Sequence, residues 1–399
     1  MENYIVRQPI FNMEYTVKGY EVLFDQSQIN QDEFTELEEV EEAFITFISS
    51  LDFDEISFNT KAYININENF LINRDFLLFP RHTTVLVISS EFLRDPEMVE
   101  SIREIQKQKY SVVIDVKNND IAYLGRVLPD VIRMDMDATD LILQEKVIQF
   151  SDDTIEFSAM NVNTHEQFEQ AKNLGYSYFQ GDFFSQPLAD ENESIKEIPG
   201  TYLKILNEVK KEEPSYEKLT RIIEKDLGLT YKILKTVNSV YYASRYKINS
   251  IEQALIRMGI DEIKKWAYIM ILKKPVKVEQ SELVKICLIR GKFMELLAKS
   301  INLEKKSSEF FLAGILSSID VLMNCQMSKI VSKLMLADDV REALLGKHNI
   351  IKEAMDLVVN YEKAEWEAVE KSKFMTYGTI YNIINLYLLS LNWADNIEE

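Results

Sequence analysis

The feature that most limits what this chain can fold into is a change of hydrophobic rhythm near residue 188. Before it, short β-branched runs recur at Tyr4-Ile5-Val6, Val17 to Phe24, Ala62 to Ile66, Thr84 to Ile88, Ser111 to Val116, Val131 to Met136, Ile155 to Ala159 and Tyr176 to Gln180. Thr84-Val85-Leu86-Val87-Ile88 and Val112-Val113-Ile114 are apolar without alternation, as strands are when a parallel sheet is covered on both faces. Helical patterns lie between the runs, at Glu33 to Phe47, Glu91 to Gln106 and Thr164 to Leu174. A strand-then-helix unit repeated about eight times predicts an α/β, TIM-like (β/α) barrel over residues 1–188. An open doubly wound sheet is the alternative, but no Gly-x-Gly-x-x-Gly loop follows any run.

Residues 189–200 (ADENESIKEIPG) are polar and end in Pro199-Gly200, the composition of a linker. From 201 to 399 the strand rhythm is gone. Leu219, Ile222 and Ile223 follow helical spacing, as do Ile233, Leu234 and Val237. Ser250 with Gln253 predicts a capping-box helix start and Gly259 its end. Helical patterns continue through Leu283 to Ser300, Glu309 to Met323, Val340 to Leu345 and Ile351 to Val359, so this half is expected to be all-α.

Charge narrows the function. The net charge of −20 opposes a large contact with nucleic acid or an anionic membrane, since such contacts draw affinity from Lys and Arg. The locally basic stretch 218–247 does not reverse that balance. Cys287 and Cys325 read as buried, reduced thiols. With no basic leader followed by an apolar run, and no stretch near the ~20 apolar residues of a membrane span, the expectation is a soluble, cytoplasmic protein.

Three segments carry a resemblance. Ile5-Val6-Arg7-Gln8-Pro9-Ile10, Gly19-Tyr20-Glu21-Val22-Leu23-Phe24 and Phe179-Gln180-Gly181-Asp182-Phe183-Phe184-Ser185-Gln186-Pro187-Leu188 resemble the opening and closing motifs of EAL domains, barrel phosphodiesterases that cleave cyclic di-GMP. The closing motif is the most specific. Such chemistry needs carboxylates holding Mg2+ or Mn2+ and a carboxylate that deprotonates water, at the C-terminal ends of barrel strands. The resemblance implies that Glu21, Asn65, Asp115 and Asp135 stand at metal-site positions, and that Gln8, Arg133 and Gln180 stand at nucleotide-pocket positions, with Arg133 in place of the motif lysine.

Against the family pattern, Val87 stands for a glutamate ligand, Val116 for the second of two adjacent aspartates, and Met160 and Asn163 where the general base and another acid belong. Asp25 aligns with a phosphate-contacting arginine, and Lys117-Asn118-Asn119-Asp120 replaces a glycine-rich loop. Valine and methionine neither ligate a hard cation nor take a proton. Losing a general base alone costs roughly 10²–10⁴-fold in rate. The expectation is therefore a barrel without catalytic groups or cofactor, binding Mg2+ or Mn2+ at its mouth at most weakly.

In the second half, Ile222-Ile223-Glu224-Lys225-Asp226-Leu227-Gly228-Leu229-Thr230, Ile233 to Ser239, Ile248 to Leu255 and Met258-Gly259 resemble the HDOD domain, a helical relative of metal-dependent HD phosphohydrolases. By that alignment Ser317-Ser318 occupies the metal-binding His-Asp doublet. His82, His165 and His348 have no metal-ligand partner at i+3 or i+4. Asn238 reads as a cap, and the acidic stretch Asp32 to Glu42 as a solvated helix face. Tyr231, Tyr241, Tyr242, Tyr246, Trp266 and Trp366 read as core more than as a binding face.

Taken together, the residues predict a non-enzymatic signalling protein that works through an unknown protein partner on its helical domain, with a homodimer implied by related barrels. The alternatives are a receptor that binds cyclic di-GMP, weakly, without hydrolysis, and residual phosphodiesterase activity.

Overall fold

The computed structural model describes residues 4–24, 52–116, 120–150, 154–186, 199–238, 248–273, 278–334, 336–375 and 383–398. Asp25, the expected helix Glu33 to Phe47 with its acidic stretch, the loop 117–119, most of the expected linker, and Tyr241, Tyr242 and Tyr246 lie outside them.

The first unit is a closed barrel in the order β1 (Ile5–Asn12), β2 (Val17–Phe24), β3 (Lys61–Ile66), β4 (Thr84–Ser89), β5 (Ser111–Asp115), β6 (Val131–Asp135), β7 (Glu156–Met160), β8 (Tyr178–Phe179). Each expected run overlaps a strand, though only Tyr178–Phe179 of the run Tyr176 to Gln180 is one. One expectation is corrected: β1 and β2 are not joined by a helix. Asn12 Oδ1 accepts the backbone N–H of Glu14 (3.1 Å) and Thr16 (2.9 Å), and Tyr15 adopts φ 58°. This Asx-type turn closes a hairpin, so β1 runs antiparallel to both β2 and β8 while every other pair is parallel.

Outside the barrel lie α1 (Pro96–Lys107), α2 (Leu141–Phe150) and α3 (His165–Leu174). The expected helix Glu91 to Gln106 splits at Asp95, which Pro96 holds extended (φ −90°, ψ 123°) while its carboxylate caps α1. α1 turns Met98, Val99, Ile102 and Ile105 inward. α3 opens on a full capping box between Thr164 and Gln167 and ends at Gly175, φ 103°. Within the barrel, Ile10, Tyr63, Val85, Val87, Val113 and Val131 form one apolar cluster, with Tyr178 against it.

Residues Asn360–Glu370, which the sequence reading placed in the helical domain, belong to the barrel unit. Tyr361 donates its hydroxyl to the carbonyl of Ile5 at 2.8 Å, and Trp366 stacks on Tyr4 with centroids 5.3 Å apart. Trp366 is therefore a packing residue, as read.

The second unit, Pro187–Val359 with Lys371–Glu399, is helical. Helix α4 (Ile251–Met258) starts on Ser250, whose hydroxyl accepts the N–H of Gln253, and stops at Gly259, as the sequence predicts. Asn238 caps the helix before it, donating to the carbonyls of Leu234 and Ile248 and accepting the N–H of Ile248. Next come α5 (Ile260–Leu272), α6 (Ser281–Ser300) and α7 (Ser307–Leu316). Helices α6 and α7 meet at two glycines: a Cβ on Gly314 would lie 2.7 Å from Gly291 Cα and from Arg290 C. Among the described residues no helix is long and apolar enough to cross a membrane.

One buried charge in this unit makes stability acid-sensitive. Glu295, buried on α6, accepts from Lys265 (2.9 Å), Lys299 (2.8 Å) and Lys292 (3.1 Å). Burial alone would push its carboxyl up, but these lysines outweigh it and hold the pKa at about 2. A depressed carboxylate pKa contributes stability above the unfolded value of 4.5, and that contribution is lost as pH falls toward 2. We expect the urea midpoint to drop between about pH 5 and pH 2.5, and Glu295→Gln to flatten that slope. An unchanged slope in the variant would assign the acid sensitivity to other carboxylates.

Candidate functional site

Because strand residues alternate faces, residues paired across the ladder point the same way. The pairs Gln8↔Glu21, Glu21↔Tyr63, Asn65↔Val87, Val87↔Val113, Asp115↔Arg133 and Asp135↔Met160 therefore carry the interior face toward the C-terminal ends of the parallel strands. Five of the seven positions that the EAL resemblance singles out meet there in one hydrogen-bonded cluster, and Gln8 touches its edge.

Arg133 is its hub. Its Nη1 donates to Glu21 Oε1 at 2.7 Å, its Nε to Asp115 Oδ1 at 3.2 Å, and its Nη2 to Asn65 Oδ1 at 3.3 Å. Asn65 Nδ2 also donates to Glu21 Oε1 (2.8 Å), while Gln180 Nε2 donates to Glu21 Oε2 (2.5 Å) and reaches Gln8 Oε1 (3.3 Å). Glu21 and Arg133 are each 3% exposed and Gln180 5%. Burial pushes the Glu21 carboxyl up, yet Arg133 and the donors from Gln180 and Asn65 outweigh it and hold it below its ordinary value. Burial likewise disfavours charged Arg133, but Glu21 and Asp115 reverse that and raise its pKa. Both partners are thus ionised. Gln180 Oε1 is a buried acceptor without a hydrogen-bond partner among the described residues.

The remaining positions separate from the cluster. Asp135 accepts the backbone N–H of Asp137 (2.8 Å) and Ala138 (3.0 Å) and the side-chain amide of Asn161 (2.7 Å), so it builds the turn after β6. Val87 belongs to the apolar barrel interior. Val116 is buried just past β5, with its N–H on the carbonyl of Arg133 at 2.9 Å, and Met160 is half-buried at the end of β7. Asn163 is exposed; its side chain accepts the N–H of Asp182 at 3.2 Å.

A matching arrangement occurs in the helical unit. Arg290, on α6, donates through Nη1 to Ser317 Oγ (3.1 Å) and Ser318 Oγ (3.0 Å), the two serines that the sequence resemblance sets against the His-Asp doublet. The sequence reading named the serines but missed Arg290. It named Arg133 but not its role as a bridge. The available signal was a charged residue inside the apolar run Val131-Ile132-Arg133-Met134, which requires buried partners.

Among the described residues no group of three or more His, Cys, Asp or Glu is placed to hold a metal ion. A cavity of about 740 Å³ lies apart from the cluster, lined by residues of α1, the turn Ile121–Arg126 and α2, including Arg103, Arg126 and Lys146.

Comparison with known proteins bears on both halves. Residues 195–355 match the HDOD domain model. The chain is 29% identical over its full length, and over 99% of the relative's, to the uncharacterized protein YuxH of Bacillus subtilis. It is 27% identical to the cyclic di-GMP phosphodiesterase CdgJ of Vibrio cholerae, covering 92% of this chain and 87% of that one. Among solved structures, the Bacillus subtilis YkuI protein, with an EAL domain and in complex with cyclic di-GMP and calcium, is similar at 16% identity and a TM-score of 0.37. That match covers 61% of this chain and 65% of YkuI, so the chain spans just under two thirds of that structure.

The Vibrio relative corrects one expectation. A protein aligned with 92% of this chain is named a phosphodiesterase, so Val87, Val116, Met160 and Asn163 do not establish that this chain is not an enzyme. The physical reason is that donors at a barrel mouth also come from the loops after the strands, and loop 117–119 and residues 25–51 lie outside the described residues. The chain carries an HDOD domain in its C-terminal half, preceded by a closed eight-stranded barrel.

Proposed function

We propose that this chain is a cytoplasmic signal-transduction protein of cyclic di-GMP signalling, in which the barrel answers to the cyclic dinucleotide and the HDOD domain engages a partner protein. The observation that carries this reading is the near full-length similarity to a relative named for cyclic di-GMP, combined with the HDOD match. Two features of the chain support it. Gln180 presents a buried acceptor, Oε1, that a ring N–H of guanine would satisfy. On the helix Leu227–Val237, Leu227 is 84% exposed and Tyr231, expected in the core, is instead 68% exposed one turn away, an apolar pair suited to a protein surface.

The test is calorimetric titration of the full chain with cyclic di-GMP, with chromatography of the same samples for the linear product. Saturable binding is expected, weakened about tenfold or more in Gln180→Leu, which leaves the ligand's donor unpaired. Neither binding nor turnover at about 1 mM ligand (a free energy of about −4 kcal/mol) would remove the barrel from the reading. For the helical domain, a photo-crosslinker at position 231 in cells should trap a protein that Leu227→Glu releases. An adduct unaffected by that charge would argue against this face.

A further inference from the structure

We propose that Arg133 is a built-in cation, occupying with its guanidinium the place that a divalent metal ion takes at EAL-like positions, so that Glu21, Asn65 and Asp115 are closed to metal in the folded chain. This inference does not rest on the functional reading above.

A Mg2+ or Mn2+ ion needs oxygen atoms free to approach at close range in near-octahedral order, with ionised carboxylates among them. Among the described residues at the metal-site positions, those available are Glu21, Asn65 and Asp115, since Val87 lies in the apolar interior and Asp135 serves its own turn. Each of the three already meets Arg133, through a different nitrogen of one planar group. Both oxygens of Glu21 are already engaged: Oε1 accepts from Arg133 and Asn65, and Oε2 from Gln180. Asn65 Oδ1, the atom that would ligate, faces Arg133 Nη2.

Charge leads to the same conclusion. A divalent ion entering this cluster would stand within a few ångströms of a fixed guanidinium that stays protonated under all ordinary conditions. It would have to displace that group from a position 3% exposed, leaving an arginine buried without its partners. The fork geometry of arginine also explains why this residue, not the lysine of the family pattern, stands here. Lysine is a point charge on a flexible stem, while guanidinium spans three acceptors in one plane. The helical unit holds a comparable contact: Arg290 bridges the hydroxyls of Ser317 and Ser318, the positions that the resemblance to metal-dependent HD phosphohydrolases sets against their His-Asp doublet.

The test is titration of the full chain with Mn2+, followed by the loss of the free-ion electron paramagnetic resonance signal, on the wild type, Arg133→Ser and Arg133→Ser/Glu21→Gln. The expected result is no saturable binding by the wild type up to about 1 mM Mn2+. Arg133→Ser, with the three oxygens released, is expected to bind at least tenfold more tightly than the wild type, and the double variant to lose that gain. Where Arg133→Ser fails to fold, thermal unfolding of the wild type decides: its midpoint should be unmoved by either chelator or Mn2+. Wild-type binding that Glu21→Gln abolishes, or a midpoint raised by Mn2+ and lowered by chelator, would overturn the proposal.

Discussion

Replacing Arg133 with methionine is expected to cost about 3–5 kcal/mol of folding free energy, the scale for breaking a buried pair by removing one partner. Glu21 would remain at a position 3% exposed, with the amides of Asn65 and Gln180 in place of the guanidinium, so it must either hold a charge without its cation or take up a proton. The apolar cluster of Ile10, Tyr63, Val85, Val87, Val113 and Val131 lies in the same barrel. Methionine fills much of the space, so the loss reports stranded charge more than a cavity. Urea unfolding followed by circular dichroism measures it, with Arg133→Lys as the comparison. Lysine keeps the charge but not the fork, so an intermediate loss is expected. A loss under about 1 kcal/mol for methionine would mean the cluster is not held as described.

The second large effect is expected at the α6–α7 crossing. Gly314→Leu places a side chain where even a Cβ would lie 2.7 Å from backbone atoms of Arg290 and Gly291, and those atoms have no rotamer by which to yield. The helices must separate, and the buried faces carrying Phe310, Phe311, Ile315, Cys287 and Met294 lose contact with them. Overpacking typically costs about 1–3 kcal/mol, and here backbone is the obstacle, so about 3 kcal/mol or more is expected, read by thermal or urea unfolding. Gly200→Ala is the control: among the described residues nothing lies within 4 Å of its Cβ position, and the change should stay within about 0.5 kcal/mol. Equal effects at the two glycines would contradict the close-packed crossing.

Much of the barrel was legible because its strands are buried on both faces. The run Val17 to Phe24 coincides with β2, and Thr84 to Ile88 falls one residue short of β4. The β1–β2 hairpin was not legible: its turn, Asn12 to Thr16, contains neither glycine nor proline, and Asn12 closes it with side-chain bonds. Nor was the place of Asn360–Glu370, since Tyr361 and Trp366 find Tyr4 and Ile5 more than 350 residues away in sequence and no local pattern announces it. At the site, motif order located Glu21, Asn65, Asp115, Arg133 and Gln180 individually. Their pairing depends on strand register and closure of the barrel, which a one-dimensional pattern does not contain. Asp135 shows the converse: the general habit of aspartate at strand ends, to cap a turn, is what it does.

The ion pair between Glu21 and Arg133 is what makes this barrel mouth a self-contained polar core, and a double-mutant cycle measures that pair directly. Glu21→Leu, Arg133→Met and the combined variant, compared with the wild type by urea unfolding, are predicted to couple by about 2 kcal/mol or more, the double variant being more stable than the less stable single. Strictly additive losses, with coupling under about 0.5 kcal/mol, would contradict the account, because two groups 2.7 Å apart and this deeply buried do not act independently.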